Sequence, residues 1–236
     1  MAAQLKQRII SLLGVSPANV VRLHGLRRVI SRSDERLRNE YLQKALTPKL
    51  QIGGGWRLLE GWLNTDIEII PGVMRMDATR PFPFPGDIFY RVYTEHMIEH
   101  LSYREGFCML KECYRVLREG GALRVITPNL ASIIGLYSHD LRVTQKEYIE
   151  WICQTFPRGA PPSAVSVINT MFHEWGHQFI YDEKTLANLL NAVGFHSVRR
   201  SRLGESSFHD LQSMENEQRY PEGLLNFESI ALEAVK

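Results

Sequence analysis

The chain has 236 residues, 44% of them hydrophobic, which is enough for one substantial domain with an ordinary buried core. Its 28 basic and 26 acidic residues leave a net charge of +2, so no global field marks nucleic acid or a membrane surface as the partner. Three cysteines, Cys108, Cys113 and Cys153, lack CxxC spacing, which argues against a disulfide framework or a thiolate zinc site and for a reducing, cytoplasmic setting.

The N-terminal stretch MAAQLKQRIISLLG places Lys6, Gln7 and Arg8 where a secretory signal needs unbroken apolar residues, and no stretch reaches the length of a membrane span. Residues 1–48 read as a helical extension: Leu5, Ile9, Leu12 and Leu13 recur at helical spacing, and Ser33 and Asp34 precede a charged amphipathic run. Its arginines, Arg22, Arg27, Arg28, Arg32, Arg36 and Arg38, read as a solvated helix face in preference to a surface for an anionic partner.

From Lys49 the texture changes to short apolar segments alternating with loops and helices. KLQIGGG is a strand running into glycines, WLNTDIEI and VMRMDA are strands that each end near an acid, and DIFYRVYTEH is a fourth. LSYREGFCMLKECYRVLREGG is a helix with capping-box spacing between Ser102 and Glu105. Phe107, Leu110, Tyr114 and Leu117 lie on one face, and Gly120 and Gly121 are its stop. ALRVITPN is a fifth strand, halted by Pro128. Residues 131–181 show no sustained periodicity and are too long for an ordinary connection, so they read as a lid or substrate insertion. DEKTLANLLNAVGF then forms a helix capped by Asp182, with Leu186, Leu189, Leu190 and Val193 inward and Gly194 as stop. HSVRRSRL and SIALEAVK are terminal strands, the second alternating better than the first. Strands alternating with helices define an α/β class: a Rossmann-like, doubly wound, mostly parallel sheet spanning 49–236, with the helical extension before it and the insertion after its fifth strand.

Gly53, Gly54 and Gly55 follow the first strand, where a backbone must turn sharply and come close to a ligand. They make a poor dinucleotide fingerprint, because Leu58 stands where a third glycine belongs. Asp66 closes the second strand, Asp77 the third, and Thr94, Glu95 and His96 the fourth, and in an open parallel sheet these ends face one crevice. Taken together they favour a nucleoside site.

On these residues the chain resembles the class I S-adenosylmethionine-dependent methyltransferases, in particular a small branch similar to predicted methyltransferases of surface-polysaccharide gene sets. The likeness is dense over 49–130 and resumes through YDEKTLANLLNAVGF. It implies that Gly53, Gly54 and Gly55 contact the methionine moiety of S-adenosylmethionine. Asp66 would then hold the ribose, Asp77 and Ala78 the adenine, while Thr94, Glu95 and His96 line the methyl-donor pocket. Gln51 stands where many members have an acid and Arg57 where a glycine often sits, and the interval from Gly55 to Asp66 is short for the usual first helix. A small-molecule or glycan-like acceptor is implied by the resemblance alone. Tyr148, Trp151, Phe156 and Arg158 in the insertion are residues that either line its pocket or merely pack.

Two fragments point elsewhere. FHEWGH matches HExxH through His173, Glu174 and His177, and HMIEH matches HxxEH through His96, Glu99 and His100. A zincin needs both histidines one turn apart on a helix, and Gly176 inside the turn, with Phe179, Ile180 and Tyr181 after it, argues against that helix. No metal is therefore assigned, although a composite site of His96, His100, His173 and His177 stays open if the insertion folds over the crevice. Methyl transfer needs alignment, desolvation and, for a hydroxyl acceptor, a base. The catalytic candidates are His173 and His177, with Glu174 as orienter and Tyr181 nearby. The alternatives are a methyltransferase-like fold that binds without turnover and, behind it, a zinc-dependent hydrolase.

Overall fold

In the computed structural model the described residues are 32–157 and 159–236. Leu5, Ile9, Leu12, Leu13, Arg22, Arg27 and Arg28, and with them most of the expected helical extension, lie outside these, as does Arg158. Among the described residues no helix is long and apolar enough to cross a membrane.

Helix α1 (Arg32–Lys44) leads into strands β1 (Lys49–Ile52), β2 (Leu63–Asp66), β3 (Met74–Arg75) and β4 (Phe89–Glu95). A short 3-10 turn (Ile98–His100), helix α2 (Tyr103–Val116) and the long strand β5 (Leu117–Pro128) follow. After these come α3 (Leu130–Ile134), α4 (Val143–Thr155), α5 (Ala164–His173), α6 (Glu183–Val193), β6 (His196–Ser201), α7 (Leu224–Glu228) and β7 (Ser229–Val235). The strands form a seven-stranded sheet in the order β3-β2-β1-β4-β5-β7-β6. β1 to β5 are parallel, while β7 runs antiparallel to both of its neighbours. The order reverses between β1 and β4, so a crevice opens at the carboxyl ends of those two strands.

The main core is made where β1, β4 and β5 meet α2 and α6. Leu50, Ile52, Val92, Leu123 and Val125 pack there against Met109, Leu110, Cys113, Leu186 and Leu190. At α2 the Ser102–Glu105 capping box is present, with the Ser102 hydroxyl accepting from the Glu105 N–H. The helix ends at Val116, however, not at the glycines, because Leu117 turns extended and pairs with Phe89. Its buried face is Gly106, Met109, Leu110, Cys113 and Val116, rotated from the expected Phe107, Leu110, Tyr114 and Leu117. Sheet pairing of residue 117 outweighs the local helix preference here. At α6 the expected caps hold: Asp182 accepts from the Thr185 N–H at 2.7 Å, and Gly194 takes φ +118.

Three further readings change. Asp34 does not precede a helix; it lies in the first turn of α1, buried, and accepts the Arg75 N–H of β3 at 2.8 Å, tying the helix to the sheet edge. β7, the last strand of the chain as expected, is buried on both faces instead of alternating, because it inserts between β5 and β6. The exposed edge falls to β6, whose charged residues Arg199 and Arg200 suit it. Finally, residues 131–181 are largely helical: α3, α4 and α5 assemble a second core from Ile133, Tyr148, Ile149, Ile152, Val167 and Met171, joined by Leu224 of α7.

Candidate functional site

The crevice floor is built from the glycine turn. Gly53 and Gly54 N–H groups donate to the Thr65 carbonyl of β2 at 2.9 and 3.1 Å, so the turn folds back over the neighbouring strand. Gly53 sits at φ +69, and a Cβ there would lie 2.2 Å from Cγ of Met97, so glycine is needed for both the bend and the close packing. Beneath the turn, the Gln51 Oε1 and Thr94 Oγ1 atoms are buried without a hydrogen-bond partner.

Asp66 stands directly against this turn. Its Oδ2 accepts the Gly55 N–H at 2.8 Å and its Oδ1 the Glu68 N–H at 2.9 Å. A carboxylate offers roughly four acceptor positions, so about one remains on each oxygen for an incoming pair of hydroxyls. Asp77, one strand over, is linked through the Met76 N–H, which donates to the Asp66 carbonyl at 2.8 Å. Its own Oδ1 accepts the Thr79 N–H and hydroxyl at 2.9 and 2.6 Å, a local turn that fixes the Asp77-Ala78 backbone and leaves Oδ2 with only a distant Arg80 at 3.7 Å.

Glu95 is more heavily engaged than its sequence position suggests. Oε2 accepts from Arg57 at 2.7 Å and from the Tyr93 hydroxyl at 3.0 Å, and Oε1 accepts the Asn216 N–H at 3.0 Å. Arg57 thus bridges the glycine-turn segment to the end of β4. Asn216 belongs to the β6–β7 connection, 202–228, of which only residues 202 and 203 fall in an expected element. That connection is held down by a buried ion network: Arg124 of β5 donates to Glu215 and, at 2.7 Å, to Glu233, and the Glu215 Oε2 accepts the Gly204 N–H at 2.9 Å.

His96 turns the chain out of β4 in the left-handed region, φ +49, a strained conformation for a residue with a Cβ. Its Nε2 hydrogen-bonds Ser229 Oγ at 3.0 Å, its Nδ1 faces Glu99 at 3.4 Å and Glu228 at 3.8 Å, and Tyr220 lies beside the ring. Burial alone would pull the imidazole down, but Glu99, Glu228 and Glu95 raise it above its ordinary value. Glu228 in turn accepts the Tyr148 hydroxyl at 2.6 Å and the Tyr220 hydroxyl at 3.1 Å. From Tyr220 a run of half-buried rings continues through Trp151 and Phe156 to Trp175. A separate open cleft of about 580 Å³, lined by Ser132, Asp140, Arg142, Gln145 and Asn226 among others, shares no residue with the crevice.

The four expected catalytic residues do not come together. α5 ends at His173, which is exposed; Glu174 is already extended, and Trp175 and Gly176 take φ +56 and +82. His173 and His177 therefore do not share a helical turn, and the HExxH geometry of a zincin is absent. Tyr181 is fully buried in the main core, its hydroxyl packed against Gly106 of α2 without a hydrogen bond, and burial pushes its phenol up. Only His177 reaches the neighbourhood of the crevice, beside Glu99 and His100.

Residues 62–125 match the family model of a methyltransferase domain. The matched span runs from β2 into β5 and contains Asp66, Asp77, Ala78, Thr94, Glu95 and His96, while the glycine turn lies just before it. No curated protein sequence matches the chain. Among solved structures, a SAM-dependent methyltransferase from Archaeoglobus fulgidus is similar over 86% of this chain and 93% of its own, at 18% identity and a TM-score of 0.49. Phosphoethanolamine N-methyltransferase 2 of Haemonchus contortus, in complex with S-adenosyl-L-methionine, is similar over 86% of this chain and 52% of its own, at 14% identity and a TM-score of 0.44.

Proposed function

We propose that this chain is a class I methyltransferase that transfers a methyl group from S-adenosylmethionine to a small-molecule or glycan-like acceptor in the cytoplasm. The observation that carries the reading is the Gly53–Gly55 turn hydrogen-bonded to Asp66 at the point where the strand order reverses. The crevice fits the cofactor on its own terms: two buried polar atoms, Gln51 Oε1 and Thr94 Oγ1, are unpaired below the turn, and Asp66 retains acceptor positions.

Bound there, the cofactor supplies an electrophilic methyl on a sulfonium. The glycine turn would hold the methionine moiety by its backbone, Asp66 would accept from the ribose hydroxyls, and the fixed Asp77-Ala78 turn would meet the adenine edge. Thr94 and His96 wall the pocket. Displacement at the methyl is in-line, so alignment and water exclusion are the protein's main contribution. The helical segment 131–181 serves as the substrate-binding insertion, its half-buried Trp151, Phe156 and Trp175 reaching His96 through Tyr220. Flat aromatic faces of this kind suit the C–H face of a sugar ring. The three free thiols accord with a reducing compartment.

A second reading, binding without turnover, is favoured by one contact, the Arg57–Glu95 bridge across the mouth of the donor pocket. Calorimetry with S-adenosylmethionine and with S-adenosylhomocysteine tests the first reading, which fails if the folded protein binds neither. Release of S-adenosylhomocysteine with a panel of sugar and small-molecule acceptors then separates an enzyme from a binding fold.

A further inference from the structure

The two zinc-like fragments of the sequence meet in space, though not as either motif alone would have it. Glu99 and His100 of HMIEH and His177 of HEWGH bring one ligand atom each to within 4.8 Å of one another. The segments that carry them are fixed against each other: the Gln178 and Phe179 N–H groups donate to the Glu99 carbonyl at 2.7 and 3.2 Å, and the Gln178 side-chain amide donates to the His100 carbonyl at 2.7 Å.

Two of the three ligands are also prepared chemically. The Nδ1–H of His177 donates to the Met171 carbonyl at 2.7 Å, and since a carbonyl only accepts, the tautomer is set and Nε2 keeps its lone pair. Metal-bound histidines are commonly oriented by such a bond to a backbone carbonyl. The Glu99 carboxylate is fully buried, one oxygen accepts the Thr127 hydroxyl at 3.0 Å, and the other, Oε1, has no hydrogen bond. No arginine or lysine pairs with it among the described residues. Imidazoles surround it instead: His96 at 3.4 Å from Oε1, and His100 and His177 in the cluster.

We propose that Glu99, His100 and His177 form a divalent metal site of zinc type, with two imidazoles and one carboxylate as protein ligands and a fourth position left open. Mixed nitrogen and oxygen ligands in this number suit zinc. The ion would tie the end of the 131–181 segment to the turn after β4, one residue shell behind His96. The proposal is independent of the methyl-transfer reading and uses neither His173 nor Glu174.

The test is calorimetric titration of the full chain with zinc chloride after chelator treatment and desalting. The expected result is one zinc per chain, with His100→Ala and His177→Ala each weakening binding by about 10-fold or more and His173→Ala leaving it unchanged. Wild-type stoichiometry well below one zinc per chain overturns the proposal by itself, whatever the variants do. So does a His177→Ala affinity equal to wild type, or a loss in His173→Ala as large as that in His177→Ala. A rise in wild-type thermal stability with added zinc, absent from His177→Ala, is the second expected readout, and no zinc-dependent rise in wild type counts against the site.

Discussion

Replacing Asp66 with alanine removes a side chain that connects the glycine turn to β2. In the folded chain its oxygens accept the Gly55 and Glu68 N–H groups at 2.8 and 2.9 Å, and the remaining acceptor positions are those assigned to the ribose. Hydrogen bonds to a charged group are worth about 1.5–3 kcal/mol each, so losing two ribose contacts costs about 3 kcal/mol at the lower end. That corresponds to roughly 150-fold in affinity for S-adenosylmethionine, before any loosening of the turn is counted. Calorimetry on Asp66→Ala and Asp66→Asn beside wild type measures it, with a circular dichroism melt to confirm folding. Asparagine keeps one acceptor oxygen and should fall between the other two. A folded Asp66→Ala that binds within about threefold of wild type would refute the ribose assignment.

The other expectations concern Tyr181, Arg124 and Glu112. Tyr181→Phe should leave methyl transfer unaltered and stability equal or slightly higher, because its buried hydroxyl has no partner to lose; a large loss of turnover with an unchanged melt would restore Tyr181 as a catalytic residue. Arg124→Met should destabilise by about 3–5 kcal/mol in urea melts, since it strands Glu215 as a buried charge without its cation, while Glu233 keeps Arg199 at 3.0 Å. A change under about 1 kcal/mol would show that the network is not what pins the 202–228 connection. Glu112 is held below its ordinary value, first by its hydrogen bonds from Arg115 and also by the Phe82 N–H, against a burial effect that pushes it up. A depressed carboxyl contributes stability that is complete above its unfolded value and disappears as pH falls through the folded one. The melting-temperature gap between wild type and Glu112→Gln should therefore be widest at neutral pH and shrink below about pH 4.3; a constant gap contradicts the assignment.

Some of this was legible residue by residue. The Ser102–Glu105 box and the Asp182 and Gly194 caps depend on side chains within four positions of each other, and local chemistry was sufficient to find them. The glycine turn and Asp66 were legible for a related reason: a strand followed by glycines and a strand followed by an acid occupy equivalent sheet-edge positions in any parallel sheet. The connection 202–228 was not legible, because Glu215 and Asn216 carry no periodicity and acquire meaning only from Arg124 and Glu95, 91 and 121 positions away.

What the sequence by itself determined is the α/β class, the strand ends that face the crevice, and the presence of enough histidine and acid for a metal. Tertiary structure alone decided how those groups combine. It moved the end of α2 because residue 117 gains a sheet partner, and it put β7 inside the sheet. It also left His173 in solvent and drew Tyr181 into the core. Glu99, His100 and His177 come from motifs about 75 residues apart, and hydrogen bonds between the 98–100 and 177–179 segments help bring them together. Spacing along a chain reports geometry only while one helix or strand continues, and at Glu174 the helix stops.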